Sequence, residues 1–462
     1  MGLWNNDEAR QFFRDNGLPE QYNDGMREYL RLLLGSTQSL PDLMRSFYRT
    51  YGSWDFVSLI APTTALSLTD GSLDASFTFT RASTGYYYDS SGTLVSAAID
   101  APRFDYNPDT LEIKGLLIEN AATNLTNYSE EADNAWWAKQ AVTISANTTT
   151  APDGTLTADS MVETAVSNSH GIDRTSIIAS LTLGDYVTSS VFVKQGSGDR
   201  RLQLVVGGTA FANASYCNFN LATETVTLGT QSTVRSATMT ALPNGWYRCT
   251  FTVQADVTGS VRPFFRLANS NSTTLNSYLG DGTSFIYIWG IQVEQTSYST
   301  SYIKTVATTT TRSADVLSIT GANFSGFWNA TEGTVKVVGI NDGPVFGKYF
   351  SINDGTSNEE IYFNKASNTD VEAFMIDGGV DQMSSSISGT YTDGTTIKMC
   401  LGYKQDDSAL AINGTDNGGD TLCTIPTVTQ TQFSGQNWWL RDFIYYNVKL
   451  GNNQIRSLTN GV

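Results

Sequence analysis

Asn244-Gly-Trp-Tyr-Arg-Cys-Thr-Phe-Thr-Val253 sets the reading of the whole chain. Asn-Gly is a tight-turn dipeptide because both residues tolerate positive φ. The residues after it are strand-like: Cys249, Phe251 and Val253 alternate with Arg248, Thr250 and Thr252, the period of a half-buried β-strand. Working outward, the same signature recurs every 10–15 residues across 126–310. Val187-Thr-Ser-Ser-Val-Phe-Val-Lys, Leu202-Gln-Leu-Val-Val and Phe285-Ile-Tyr-Ile-Trp-Gly-Ile-Gln-Val-Glu read as strands, and Asn218-Phe-Asn-Leu with Thr225-Val-Thr-Leu reads as a pair. Short strands at even spacing predict an antiparallel sandwich or jelly roll.

The pattern continues on both sides. Residues 51–125 hold Ser76-Phe-Thr-Phe-Thr, Gly85-Tyr-Tyr-Tyr and Leu111-Glu-Ile-Lys-Gly-Leu-Leu-Ile-Glu, and read as a strand-rich connector. Beyond the polar junction Thr308-Thr-Thr-Thr-Arg-Ser-Ala-Asp, a second set over 311–462 runs from Gly333-Thr-Val-Lys-Val-Val to Trp438-Trp-Leu-Arg-Asp-Phe-Ile-Tyr-Tyr. Only residues 1–50 carry helical spacing. There Asn6 can cap a first helix, Pro19 and Pro41 start two more, and Gly17 and Gly35 stop them. Three helices so short bury little surface alone. They are read as an anchor whose interface is Phe12, Phe13, Tyr29, Leu33 and Phe47. The expected architecture is therefore mainly β: a helical anchor (1–50), a connector (51–125) and two antiparallel β-sandwich domains (126–310 and 311–462).

Composition narrows the function. The net charge is −17, yet only 16% of residues are charged while 40% are apolar, so this is a packed acidic protein and not a disordered one. Residues 1–50 net −1, and the acidity sits in the rest, which repels phosphate backbones and argues against nucleic-acid binding. No run of about 18 apolar residues exists, so no helical membrane insertion is expected. The opening Met1-Gly-Leu-Trp-Asn-Asn-Asp-Glu lacks the basic and apolar blocks of a signal peptide. Cys217, Cys249, Cys400 and Cys423 have no zinc spacing and read as buried thiols, with Cys217–Cys249 or Cys400–Cys423 bridges left open.

Gly115-Leu-Leu-Ile-Glu-Asn-Ala-Ala-Thr-Asn-Leu, running on to Asn134-Ala-Trp-Trp137, resembles a linker signature of tailed-bacteriophage tail-fibre and head-spike proteins. The likeness extends over about 75–462 through Phe77-Thr-Phe-Thr-Arg-Ala-Ser-Thr-Gly-Tyr, Pro102-Arg-Phe-Asp-Tyr, Ala151-Pro-Asp-Gly-Thr, Asn244-Gly-Trp-Tyr-Arg, Gly290-Ile-Gln-Val-Glu, Thr300-Ser-Tyr-Ile and Thr311-Arg-Ser-Ala-Asp. Each motif is weak alone; their joint order is specific. The resemblance implies a carbohydrate-binding-module-like jelly roll in the middle. The tail from about 326 resembles, less specifically, a concanavalin-like (laminin-G-type) sandwich ending in a short helix at Asn452-Asn-Gln-Ile-Arg-Ser-Leu. It implies a virion structural protein: a homotrimeric fibre or spike subunit, assembled in the host cytoplasm, docked through its N-terminus on head, portal or tail proteins and meeting host-surface glycan. The alternatives are a polysaccharide depolymerase tailspike and a secreted lectin-like adhesin.

For chemistry, the chain offers one histidine, His170, in the polar stretch Ser167-Asn-Ser-His-Gly, which reads as a loop or a satisfied hydrogen-bonder and not a catalytic base. Glu130-Glu131 and Glu359-Glu360 are adjacent, so on a strand they face opposite sides and make poor hydrolytic dyads. Aromatic rings suit the C–H faces of sugars; the glycan-binding candidates are Trp137, Trp438, Trp439 and Tyr87, with Trp246 and Trp289 assigned to the core. No cofactor is implied, and a structural Ca²⁺ on Asp281-Gly or Asp416-Asn-Gly-Gly-Asp420 is the one ion the loops could hold.

Overall fold

The computed structural model describes residues 61–174, 178–269, 275, 277–343, 346–417 and 420–460. The expected anchor helices, with Phe12, Phe13, Tyr29, Leu33 and Phe47, lie outside these residues.

Alternation of apolar and polar residues becomes two-layer packing. In the middle of the chain, a six-stranded antiparallel sheet runs in the order Val234–Leu242, Trp246–Gln254, Tyr186–Gln195, Phe285–Glu294, Ala158–Glu163, Val142–Thr149. Opposite it, a seven-stranded sheet is built around Arg201–Gly207 and Gly259–Ala268. Cys249, Phe251 and Val253 face the shared core with Val191, Leu204, Phe265 and Ile288, as their spacing predicts. Asn244 takes φ 61° in the turn before its strand, the left-handed conformation asparagine tolerates. The strands Ser215–Asn220 and Thr225–Leu228 pair with Asn220 opposite Thr225.

The second sandwich combines an eight-stranded and a seven-stranded sheet over a core that includes Val335, Phe350, Phe363, Met399 and Trp438. Here the expected boundaries need correction. Residues 61–118 are not a separate connector. Thr64–Ser67 and Ile113–Ile118 both pair with Trp438–Tyr446, Phe104–Tyr106 pairs with Ile113–Ile118, and Thr78–Thr80 pairs with Val316–Thr320. Leu68, Phe77, Phe79, Leu116 and Ile118 belong to that core. The middle sandwich is thus an insertion in a discontinuous one. Its ingoing and outgoing chains, Ala122–Asn124 and Thr310–Arg312, pair as a two-stranded ladder. A strand's period tells that it is half-buried, not against which distant strand, so sequence order alone read the first strands as their own unit.

The closing helix Asn452–Thr459 is where the sequence placed it, packing Ile455 against Cys400, Ala411, Tyr446 and Leu450 outside the eight-stranded sheet. A third cluster lies on the outer face of the six-stranded sheet. There the hairpin Gly85–Tyr88/Leu94–Ala97 lays Tyr86, Tyr88 and Leu94 over Phe192, Trp246, Trp289 and Tyr302. Trp246 and Trp289 are buried as expected, but beneath this hairpin rather than between the sheets.

Candidate functional site

Two glycines of the quoted motifs set the geometry where the sandwiches meet. Gly115 has φ +131°, and a Cβ there would stand 2.4 Å from the Leu440 carbonyl oxygen of the neighbouring strand. Gly290 has φ +62°, and its Cβ would stand 2.6 Å from the Phe192 ring. Only glycine permits both approaches.

The same motifs supply a buried ionic node. The Arg103 guanidinium is fully enclosed, with Nη1 2.7 Å from Glu119 Oε2 and Nη2 2.5 Å from Asp315 Oδ2. Arg81 reaches Asp315 Oδ1 at 3.2 Å, and Arg312 reaches Glu119 Oε2 at 3.5 Å. Backbone and hydroxyl groups complete the shell. Ser301 donates to Glu119 through N–H (2.8 Å) and Oγ (2.7 Å), the Glu119 N–H donates to Asp315 Oδ2 (2.9 Å), and Arg81 donates to the Ala98 carbonyl (2.7 Å). Three guanidiniums against two carboxylates leave one positive charge in excess. Burial alone would raise the Glu119 carboxyl, but Arg312 and Arg103 with the Ser301 bonds hold it down at about 2. Burial, then repulsion from Arg103, lowers Arg81, whereas Arg103 is raised: its own burial is outweighed by Glu119 and Asp315.

The polar seam continues into the inserted sandwich. The buried Asn124 side chain donates to the carbonyls of Ile291 (3.0 Å) and Ile303 (2.9 Å) and accepts from Val293 N–H (3.1 Å). Glu294 accepts from Thr300 Oγ1 at 2.6 Å and Gln292 Nε2 at 2.7 Å, and Arg248 donates to the Thr300 carbonyl at 2.8 Å. Trp246 donates its indole N–H to Thr150 (3.1 Å), beside Ala151 and Pro152, whose carbonyl accepts from Leu94 N–H. Nearly every motif that carried the resemblance therefore contributes to this junction; the segment ending at Trp137 lies apart from it, in the core of the inserted sandwich. The individual roles were not foreseen. A signal was present for Glu119, which follows the apolar Leu116-Leu-Ile118 directly, where a charge is buried only if partnered.

The aromatic candidates fare differently. Trp137 and Trp438 are corrected: they are 1% and 0% exposed and lie in the two sandwich cores, so neither can meet a ligand. Each of their neighbours took the outward place. Trp136 packs edge-on against Trp137 with the Arg174 guanidinium 4.4 Å from its ring. Trp439 donates its indole N–H to Asp105 Oδ2 at 2.8 Å and carries the Lys114 ammonium 4.0 Å over its ring, so its ring is engaged within the protein. Tyr87 is half-buried; burial, then Asp89 and Asp105, raises its hydroxyl. Asp105 thus accepts from the Trp439 indole and from the Tyr88 backbone N–H, next to Tyr87 in the chain.

The acid–base candidates are also accounted for. His170 is buried on a strand, not in a surface loop. Its Nδ1 stands 2.7 Å from the Ala141 carbonyl and its Nε2 3.2 Å from that of Tyr278, the satisfied hydrogen-bonder of the two readings. Glu360 pairs with Lys348, Glu359 accepts from Gly378 and Thr427 N–H groups, and Glu130 pairs with Lys304, so the adjacent acids serve separate structural partners. The Asp281 carboxylate accepts from Thr283, Ser284 and Arg200 within a turn. Among the described residues no group of three or more His, Cys, Asp or Glu is placed to hold a metal, and no helix is long and apolar enough to cross a membrane. All four cysteines are free and buried, and burial raises Cys217 and Cys400 to about 12.

No family model and no curated protein matches the chain. Solved structures with a related arrangement of strands include the Ruminococcus gnavus IT-sialidase carbohydrate-binding module CBM40 bound to α2,3-sialyllactose, 9% identical over 30% of this chain and 88% of that one, TM-score 0.27. They include a SAP-like pentraxin from Limulus polyphemus, 14% identical over 28% and 70%, TM-score 0.23. The botulinum neurotoxin serotype C1 binding domain is 15% identical over 32% and 40%, TM-score 0.26. Each is similar to under a third of this chain, and at these scores the likeness carries no argument about its ligand.

Proposed function

We propose that this chain is a subunit of a phage virion appendage, a fibre or head spike, that holds two β-sandwiches outward for contact with host-surface glycan. One observation supports the reading above others: motifs spread from residue 77 to residue 315 converge on a single buried seam between the sandwiches. The resemblance to fibre and spike proteins thus rests on residues that do one structural job together. Sandwiches joined by a flexible linker move independently. Here an inserted domain with paired ingoing and outgoing strands, a hairpin laid over its outer sheet and a desolvated ion cluster hold the two as one body, which suits a part that transmits force between particle and cell.

In this reading residues 1–50 dock on a head, portal or tail protein, the subunit is a homotrimer assembled in the host cytoplasm, and the sandwiches bind without turnover. Immunogold labelling and mass spectrometry of purified particles test it. Full-length chain is expected on the particle surface and, in solution, at three copies by light scattering. A chain lacking 1–50 is expected to stay folded but to be missing from particles. Absence of the full chain from particles, or normal incorporation of the truncation, counts against the reading. Release of reducing sugar from host capsule by the full chain would identify a depolymerase instead.

A further inference from the structure

The seven-stranded sheet of the second sandwich buries one face in the core, and its other face is exposed toward the edge strand Val380–Ser388. On that outer face the register aligns a row running Gln432, Ser351, Tyr362, Phe374 and Ser384 across adjacent strands. Tyr362 and Phe374 stack with centroids 4.8 Å apart and an interplanar angle of 15°. On the other side of Tyr362, the Lys348 ammonium stands 4.2 Å from the ring centre and extends to Glu360 Oε2 at 2.5 Å. Tyr362 is therefore filled on both sides. Phe374 is not. Its strand, Asp370–Asp377, lies between the Tyr362 strand and the edge strand Val380–Ser388, so the second face of the Phe374 ring looks along the sheet toward that edge. The outward residues there, Ser384 and Ser386, are too short to cover a ring.

The result is a shelf with an aromatic wall and a hydroxyl floor. Strands lie about 4.8 Å apart, so the space between Phe374 and the sheet edge is about the width of one sugar ring. Glu372 stands two residues along from Phe374, directly opposite Ser386. It accepts from Asn364 Nδ2 at 3.2 Å and, among the described residues, makes no ion pair. Asp381 lies exposed on the edge strand at the other end of the shelf. Burial and then the Glu360, Asp381 and Glu372 charges push the Tyr362 hydroxyl up to about 12, in keeping with acids gathered around the rings.

We propose that this shelf binds a neutral pyranose of a host-surface glycan, which deepens the reading above and rests on it for why a glycan is met. The apolar C–H face of the sugar stacks on Phe374. Its hydroxyls donate to the Glu372 and Asp381 carboxylates and exchange hydrogen bonds with Ser384 and Ser386. Charge selects the class. Lys348 is neutralised by Glu360, and among the described residues Glu372 and Asp381 have no ion-pair partner, so a sialylated or uronic-acid sugar is repelled. Stacking on Tyr362 holds Phe374 in place before the sugar arrives, which spares the cost of ordering it.

The test uses the full chain on an immobilised panel of neutral hexose and N-acetylhexosamine oligosaccharides beside sialylated ones. Retention on neutral glycans and none on sialylated ones is expected. Phe374→Ala and Glu372→Gln should each weaken retention at least tenfold at an unchanged melting temperature, while Phe374→Tyr, which keeps the ring, should retain it. Trp439→Ala, on the other sheet, should bind like the parent chain. Neutral-glycan binding undiminished in Phe374→Ala, preference for sialylated glycans, or no retention of any neutral glycan would each overturn the shelf. A chain found on particles that binds no neutral glycan sinks the shelf alone. A chain absent from particles that binds through Phe374 sinks the appendage reading alone.

Discussion

Glu119 is a carboxylate that is 1% exposed, and its neighbours decide whether it stabilises or costs. Buried pairs gain little over apolar residues of the same shape, but removing one partner strands the others. Glu119→Gln leaves Arg103 and Arg312 facing an amide, with an expected loss of about 3–5 kcal/mol in denaturant unfolding. Acid should act similarly. The folded carboxyl titrates at about 2, below its ordinary 4.5, so its contribution is complete above about pH 4.5 and is lost as pH falls through that window toward 2. Its full size is about 3 kcal/mol on that shift. A melting temperature that stays flat between pH 5 and 2.5 would contradict the node as described. At Gly115 the constraint is steric: Gly115→Ala must move the Leu440 carbonyl or distort a backbone at φ +131°, and should cost more than about 1 kcal/mol by the same measurement.

The hairpin Gly85–Ala97 is the element that turns an outer sheet face into a core. Without it Phe192, Trp246 and Trp289 would form an exposed apolar patch of the kind soluble proteins avoid. The double substitution Tyr86→Ala/Tyr88→Ala should destabilise by about 2–4 kcal/mol and raise binding of an apolar dye below the melting transition. An unchanged dye signal would mean the hairpin is not needed as a cover. The period of Tyr86-Tyr-Tyr88 was readable as a strand, and its alternation rightly separates Tyr87 from its neighbours. That Tyr86 and Tyr88 roof a second sandwich was not readable, because a strand's pattern states how many faces are buried and not by what.

For the whole molecule, nesting predicts how the chain can be cut. Residues 311–462 alone lack three of eight strands in one sheet and one of seven in the other, so that fragment should not fold by circular dichroism. Replacing residues 125–309 by a two-residue turn joins Ala122–Asn124 to Thr310–Arg312 as a hairpin, and should give a folded though less stable second sandwich. A folded 311–462 fragment would refute the discontinuous arrangement.

Read alone, the chain discloses what local physics controls. Turn dipeptides and period-two alternation placed strands such as Trp246–Gln254, and the chain's closing residues announced their helix, because φ/ψ preference and one-sided burial are properties of neighbours in sequence. It also showed that Gly115, Glu119, Arg312 and Asp315 belong to ordered motifs. Long-range packing alone made these motifs meet in one node and made the first strands complete the last sandwich. It also turned Trp438 inward and Trp439 outward, and left Phe374 a face toward the sheet edge. Each of those depends on pairings across tens to hundreds of residues, where the free energy comes from excluding water between surfaces that no local pattern can match to each other.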